Sequence, residues 1–346
     1  MPIDQIRQRL HLQRKKNAIV FQNIERLWDI GKNCSSEQDI LDRLHPWQAP
    51  IQLRFDNQLS FLLIVAGAIF LLVFLIQPSH ILTQLSLLTG CFLFFFAYLY
   101  YESKQKILEV IAYLEQIMII KKYNLAYQRP PSILKRTVQP NLFISQLKQQ
   151  FPLFNQGNLS NDIPFYASTI WQNEQSQLYQ VMLFQYHFVN QMQMRDKHGE
   201  KVKIKELHYD QWGVFIFDLE HNLPTLAAST HPLHFGAPYH VIWQTSDIET
   251  NQRIQIFGES ELDLAKHLTP ALTLRLNDFF AQRKGHLLID AEKNRLCFLG
   301  SDPIMHIQSK TQAQEIEDIS SLRGHLRTFK LPYLERLERD LLALLK

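Results

Sequence analysis

The chain has 346 residues, 46 % of them hydrophobic and 20 % charged, with 11 glycines and a net charge of +3. So small a charge gives no reason to expect a nucleic-acid partner, and so little glycine works against a glycine-rich phosphate loop. Three scattered cysteines, Cys34, Cys91 and Cys297, with no CxxC spacing, offer neither a disulfide framework nor a zinc site.

Residues 1–58 read as a cytoplasmic helical region. Over residues 1–31, Ile3, Ile6, Leu10, Val20, Ile24 and Leu27 follow a seven-residue spacing, interrupted by the polar Gln13 and Asn17, and Gly31 is placed to stop the helix. Arg7, Arg9, Arg14, Lys15 and Lys16 make its first half basic. They could meet anionic lipid heads, but a solvated helix face is the preferred reading. A short helix is expected over residues 36–44, with Ser35 and Gln38 spaced as a capping box and His45-Pro46 ending it. Trp47 and Phe55 then lead into the apolar part.

Residues 59–101 carry two uncharged runs, 59–76 and 81–101, separated only by Gln-Pro-Ser-His. Each is long enough to cross about 30 Å of hydrocarbon as a helix. A cleavable signal is not expected, because nearly sixty residues precede the first run. Arg43, Arg54, Lys104, Lys106, Lys121 and Lys122 flank the pair and the connecting loop has no Lys or Arg. The positive-inside rule then makes this a two-pass hairpin in an inner (plasma) membrane with both termini cytoplasmic. Tyr98, Tyr100 and Tyr101 supply an interfacial belt at the exit. Gly67 and Gly90 sit almost symmetrically about Pro78, so an antiparallel hairpin brings them to one depth. Ser60 shares a stripe with Gly67, and Thr83, Ser86 and Ala97 share one with Gly90. Packing within the hairpin is preferred there to a homo-oligomer contact.

Residues 102–140 read as a stalk helix and a linker. Ile107, Ile111, Leu114 and Met118 form a coiled-coil-like seam in a helix over residues 102–124, expected to run straight out of the bilayer. Its partner is either the N-terminal helices or a second copy. Arg129-Pro130-Pro131 opens the linker, where Lys135 and Arg136 add further positive charge.

Residues 141–310 change to a mixed pattern. A helix is expected over residues 142–150, then a Gln/Asn-rich turn region. Strands are expected at 179–188, 201–207, 212–218, 239–244 and 253–257, with Gly199 in a turn between the first two. Residues 261–284 read as helix restarted at Pro270, and 286–290 and 295–299 as a hairpin about residues 291–294. Residues 311–346 return to helix, with Leu334, Leu337, Leu341 and Leu344 on one face, Pro332 at its start, and Glu335 and Arg339 as an i,i+4 pair. It is expected to dock on the stalk or the sheet. The fold class is therefore α+β: a two-helix transmembrane hairpin with a helical stalk, and a soluble domain on a mostly antiparallel sheet with flanking helices.

The stretches LHYDQWGVFIFDLEHNLPTL, read as a strand pair with a Trp-Gly step, and FGESELDLAKHLTPALTLRLNDFF, followed by HLLID and RLCFLG, carry a resemblance. Their order is similar to that of an uncharacterised bacterial family of two-helix membrane proteins with a cytoplasmic domain of unknown function. The likeness covers residues 55–303. It implies the architecture and brings no catalytic residues with it.

Chemistry-bearing residues are sparse. His231, His234 and His240 lie in HPLHFGAPYH, with His208 and Asp210 upstream. Imidazoles on a loop can bind zinc, but the spacing matches no established site, and ordinary loop histidines are the preferred reading. Lys201, Lys203 and Lys205 alternate, as on one strand face, and could meet an anionic ligand, though edge protection is the plainer reading. Gly258-Glu259-Ser260 lacks the second glycine of a nucleophile elbow, Cys297 falls in an apolar strand, and neither GxxxxGK[ST] nor a strand-borne GxGxxG occurs. No cofactor is expected. The leading reading is a membrane-anchored binding or scaffold module that meets the bilayer and a cytoplasmic protein or anionic lipid. A metal-assisted hydrolase using the histidine loop, or a subunit of a larger membrane complex, are the alternatives.

Overall fold

The computed structural model describes residues 15–76, 81–129, 145, 147–148, 151–195, 202–219, 223–232 and 235–345. The chain forms two compact units, Met1–Lys122 with Ser309–Phe329 and Tyr123–Gln308 with Lys330–Lys346. The C-terminal stretch read from sequence as one helical segment is thus shared between them.

The first unit is helical. Helix α1 (Lys15–Asn33) buries Val20, Ile24 and Leu27, as the seam requires. It packs on α5 (Gln105–Lys122), which buries Ile107, Ile111, Leu114 and Met118, so the stalk helices pair within the chain. Gly31 does not stop α1, which continues two residues further. It lies where a Cβ would run into the Tyr113 ring, and the Trp28 ring lies tilted against that ring with centroids 4.4 Å apart. Helix α2 (Glu37–Arg43) is capped by Ser36, not Ser35: the Ser36 hydroxyl accepts from Asp39 N, and the Asp39 carboxylate accepts from Ser35 N at 2.8 Å. The Arg43 guanidinium hydrogen-bonded to Asp39 holds that carboxyl below the usual range.

Helices α3 (Gln58–Ile76) and α4 (Ile81–Tyr100) form an antiparallel pair. Two stretches are long and apolar enough to span a membrane, Gln58–Ile76 with mean hydropathy 3.1 and Gln84–Lys122 with 1.4. The second is interrupted between Tyr100 and Gln105, so its membrane-length part is α4. The stalk therefore does not leave α4 as one unbroken helix. Small residues line the contact. A Cβ on Gly90 would stand 3.2 Å from the Gly67 carbonyl oxygen, and one on Gly67 3.3 Å from that of Gly90. Ser60 Oγ donates to the Ala97 carbonyl at 2.6 Å. Thr83 and Pro78 lie outside the described side chains. Gly67→Leu is expected to push the helices apart and cost the hairpin about 1–3 kcal/mol. Thermal unfolding in detergent would read this as a lowered transition, and an unchanged one would count against the contact.

Residues Ser309–Phe329 return to this unit. Gln52 bridges Asp318, Leu53 N donates to Glu317 O at 2.8 Å, and Ile319 N donates to Ile51 O at 2.9 Å. Helix α9 (Ile319–Arg327) follows, closed by an Asp318–Ser321 capping box. The α-helices that lie between α5 and α9 in the chain belong to the second unit.

That second unit is a nine-stranded antiparallel sheet in the order β1-β2-β3-β4-β9-β8-β5-β7-β6. Its strands are β1 (Ala126–Tyr127), β2 (Ser160–Gln172), β3 (Leu178–Arg195), β4 (Val202–Phe217), β5 (Leu226–Ser229), β6 (Val241–Trp243), β7 (Gln255–Gly258), β8 (Gly285–Asp290) and β9 (Arg295–Gly300). Helices α6 (Ile248–Arg253), α7 (Glu261–His267), α8 (Pro270–Ala281) and α10 (Pro332–Leu344) belong to the same unit.

Several expectations are corrected. Strand β2 occupies the region read as Gln/Asn-rich turns, with Ala167, Thr169 and Trp171 buried in alternation toward its end. Strand β4 is one continuous strand where two were expected. At its Trp-Gly step, Gly213 pairs with Phe184 and leaves room for that ring, which a Cβ would strike. Strand β5 and helix α6 were not foreseen. Pro270 opens α8 behind the Thr269 cap, and the β8–β9 turn at residues 291–294 is as read. Helix α10 buries its leucine face and packs on α8. Glu335 accepts from the Tyr123 hydroxyl at 2.7 Å and Arg339 pairs with Asp340 at 3.1 Å, so the expected i,i+4 pair does not form. One sheet face carries Phe184 stacked on Phe215 at 4.9 Å, covered by Phe151 and Phe154. Across the opposite face, Phe298 meets Phe279 of α8 edge-on at 5.2 Å. Gly199 and Lys201 lie outside the described residues.

Candidate functional site

Among the described residues no group of three or more His, Cys, Asp or Glu is arranged to hold a metal. His231 and His240 are exposed, and His234 lies outside the described residues. The structure instead brings His231 near His286, a residue without a sequence signal, with ring centroids 6.3 Å apart. His286 is buried on β8, and its Nδ1 lies 2.8 Å from Ser229 Oγ of β5. Burial, with the charge of His231 adding to it, pushes the His286 pKa down to about 4. The pair has the outline of a nucleophile and base, but its polarity is wrong. The Ser229 hydroxyl spends its proton on the His231 carbonyl at 2.6 Å, so it must accept from His286 rather than give to it. It is a structural bond that ties β5 to β8.

His208 and Asp210 do not join the histidine loop. They lie on the exposed part of β4, where Asp210 pairs with His187 of β3 and His208 with Val189. His187 Nδ1 meets Asp210 Oδ1 at 3.0 Å, and its Nε2 is 3.5 Å from His208 Nδ1. This row is open to solvent and lines neither of the two clefts described below. Of the lysine row, only Lys205 has a described side chain, and it is exposed.

The best-formed site is at the base of the hairpin, and asparagines frame it. Asn57, just before α3, closes two hydrogen bonds on the backbone of Glu102, just after α4: its Nδ2 donates to Glu102 O at 2.8 Å and its Oδ1 accepts from Glu102 N at 3.1 Å. Asn17, fully buried on α1, grips Asp56 in the same manner, accepting from Asp56 N at 2.8 Å. Asn23 donates to the carbonyls of Pro50 and Gln52 and accepts from Trp47 Nε1. The chain entering α3 is thereby fixed by side chains of α1, and in the break after α4 both backbone groups of Glu102 are satisfied. Buried polar groups need such partners, and a peptide group engaged at both N–H and C=O is held in register.

Around this frame lies a cleft of about 1270 Å³. Arg54 and Lys104 both reach the Glu317 carboxylate, at 3.3 and 3.7 Å. Lys16 pairs with Asp56 at 3.4 Å, and Glu102, itself buried, pairs with Lys106 at 2.7 Å. A smaller cleft of about 250 Å³ in the sheet unit is lined by Arg275, Phe279, Asp340 and Leu344.

No family model, curated protein or solved structure matches this chain. The site is therefore read from its own chemistry. Sequence reading treated Asn17 as an interruption of the seam and passed over Asn23 and Asn57. The available signal was an asparagine inside an apolar repeat and another immediately before a span, where an unpaired amide would be costly.

Proposed function

We propose that the chain is a two-pass membrane protein that holds a cytoplasmic binding or scaffold domain at the inner (plasma) membrane. The observation that supports it is the surface of the hairpin: only 11 % of the Gln58–Ile76 window is buried, and Phe61, Leu75 and Ile76 are 67, 69 and 79 % exposed. A water-soluble fold does not leave so continuous an apolar face uncovered. The cations Arg54, Lys104 and Lys106 gather at the end where Asn57 and Glu102 meet, which supports cytoplasmic termini. The segment order over residues 55–303 supports kinship with the two-helix bacterial family. A hydrolase at the histidine loop gains no support from His231 and His240.

Flotation of the full chain after alkaline carbonate extraction is the test, paired with C-terminal reporters. The chain is expected to stay with the membrane and the reporter to be active only inside. Release into the carbonate supernatant would overturn the anchor, and an externally accessible C-terminus would overturn the orientation.

A further inference from the structure

The β3–β4 ribbon carries histidines in a different arrangement from those of the loop. Residues paired across antiparallel strands share a face, so His187 of β3 stands with His208 and Asp210 of β4, flanked by Gln185 and Glu206. Asp162 of β2 pairs with His187 from the other side and adds a carboxylate to that face. By the same alternation Lys205, which pairs with Met192, belongs to the opposite face. These surroundings favour a cation, and the side chains of His187, Asp210 and His208 are 28, 55 and 57 % exposed, open to one arriving from solvent.

The hydrogen bonds decide where the ring protons sit. An ionised carboxylate only accepts, so His187 Nδ1, 3.0 Å from Asp210 Oδ1, holds the proton of the neutral ring. Gln185 Nε2 donates to the same carboxylate oxygen at 3.1 Å and steadies it. The lone pair of His187 Nε2 is left facing His208 Nδ1, 3.5 Å away. Glu206 Oε2 lies 3.9 Å from the other nitrogen of His208, Nε2, and favours the proton on that side. Two lone pairs then meet across a gap that is long for a hydrogen bond. Two nitrogens bound to one tetrahedral ion at about 2.0–2.1 Å stand about 3.3–3.4 Å apart, so the gap is already close to the bite of a metal. A carboxylate behind a ligating imidazole fixes its tautomer and raises its basicity, and Asp210 stands in that position.

We infer that His187 Nε2 and His208 Nδ1 together hold one borderline divalent ion of the zinc class, with Asp210 positioning His187. Only two donors come from the chain, in keeping with the lack of any three-residue metal cluster among the described residues. The other positions on the ion are open to water or to an outside carboxylate or imidazole, which makes it an exchangeable docking point. The site lies wholly on the sheet and does not depend on the membrane reading above.

The full chain in mild detergent, stripped of metal, would be titrated with zinc by calorimetry, with magnesium as the hard-cation control. A zinc-binding step is expected and a magnesium step is not. The zinc step should vanish in His187→Ala and in His208→Ala, and weaken about tenfold or more in Asp210→Asn, where the carboxylate behind the ring is lost. His231→Ala with His240→Ala should leave it unchanged. Copper(II) in place of zinc should give an electron paramagnetic resonance spectrum split by two imidazole nitrogens, and by one in either single-histidine variant. Hydrogen exchange of the wild type needs no substitution: zinc should slow exchange in peptides covering residues 185–191 and 206–212. No zinc binding, binding that survives both histidine substitutions, an Asp210→Asn chain that binds as tightly as the wild type, or exchange indifferent to zinc would overturn the site.

Discussion

Replacing Asp340 with alanine is expected to cost the sheet unit about 3–5 kcal/mol, the usual penalty for stranding one member of a buried ion pair. Its partner Arg283 has a side chain only 4 % exposed, whereas that of Asp340 is 25 % exposed. The guanidinium leaves the end of α8, donates to the Phe279 carbonyl, lies over the Phe279 ring at 4.8 Å, and closes on Asp340 of α10. Without the carboxylate it stays boxed in by apolar surface with a positive charge that solvent reaches poorly. The pair need not be net stabilising for this to follow, because desolvation already offsets most of its attraction. The double change Arg283→Met with Asp340→Leu should therefore lose far less than Asp340→Ala alone. Hydrogen exchange of peptides from α8 and α10 in the full chain would show the difference. Protection falling equally in the single and double variants would mean that packing, and not the stranded charge, sets the cost.

What the sequence showed plainly and what it hid follow from the range of each interaction. The hairpin runs could be bounded to a residue or two because a membrane helix is declared by an absence of charge over its whole length. Pro270 and Pro332 marked helix starts because the missing N–H acts locally. Strand β2 was hidden because SNDIPFYASTIWQ alternates polar and apolar only weakly, and it pairs with the short β1 on one side and with β3 on the other. Strand β4 looked like two strands because its middle, HYDQ, lies in the exposed part of the ribbon, where polar residues cost nothing. The site was hidden for a deeper reason. Asn17 and Asn57 each bond to backbone about forty residues away, and a backbone partner leaves no trace in residue type. His286 likewise meets Ser229 57 positions distant. Side chains that bind neighbours can be read from spacing, and side chains that bind remote peptide groups cannot.

The second large effect is a loss of sheet-unit stability in mild acid, centred on His286. Burial, seconded by His231, sets its pKa at about 4 against an ordinary 6.5, so between those values the unfolded chain takes up a proton that the folded one refuses. Stability is therefore complete above about 6.5 and declines as the pH falls toward 4, by about 3 kcal/mol if the whole gap is realised. The surroundings offer the charged ring little in place of water: the Phe235 ring stands edge-on at 6.0 Å, and the Ser229 hydroxyl is already committed to a carbonyl. Other groups bend the curve. Asp247, hydrogen-bonded to Thr250, sits below its usual range and acts in the same direction only near the acid end. Glu338, raised by burial, acts in the opposite direction. The comparison that isolates the histidine is His286→Asn, which retains a donor for Ser229 and cannot titrate. Chemical denaturation of the full chain from pH 7.5 to 4.5, followed by exchange of β5 and β8 peptides, should give a steep decline for the wild type and a shallower one for the variant. The helical unit serves as an internal contrast. His325 is also buried, which opposes its charge, yet its bonds to Glu115 at 2.7 Å and to the Thr311 carbonyl outweigh burial and raise its pKa. Its contribution is complete below about 6.5 and is lost as the pH rises through the raised value. Acid should thus loosen β5 and β8 while the α5–α9 contact keeps its protection, and parallel loss in both units would refute the assignment to His286.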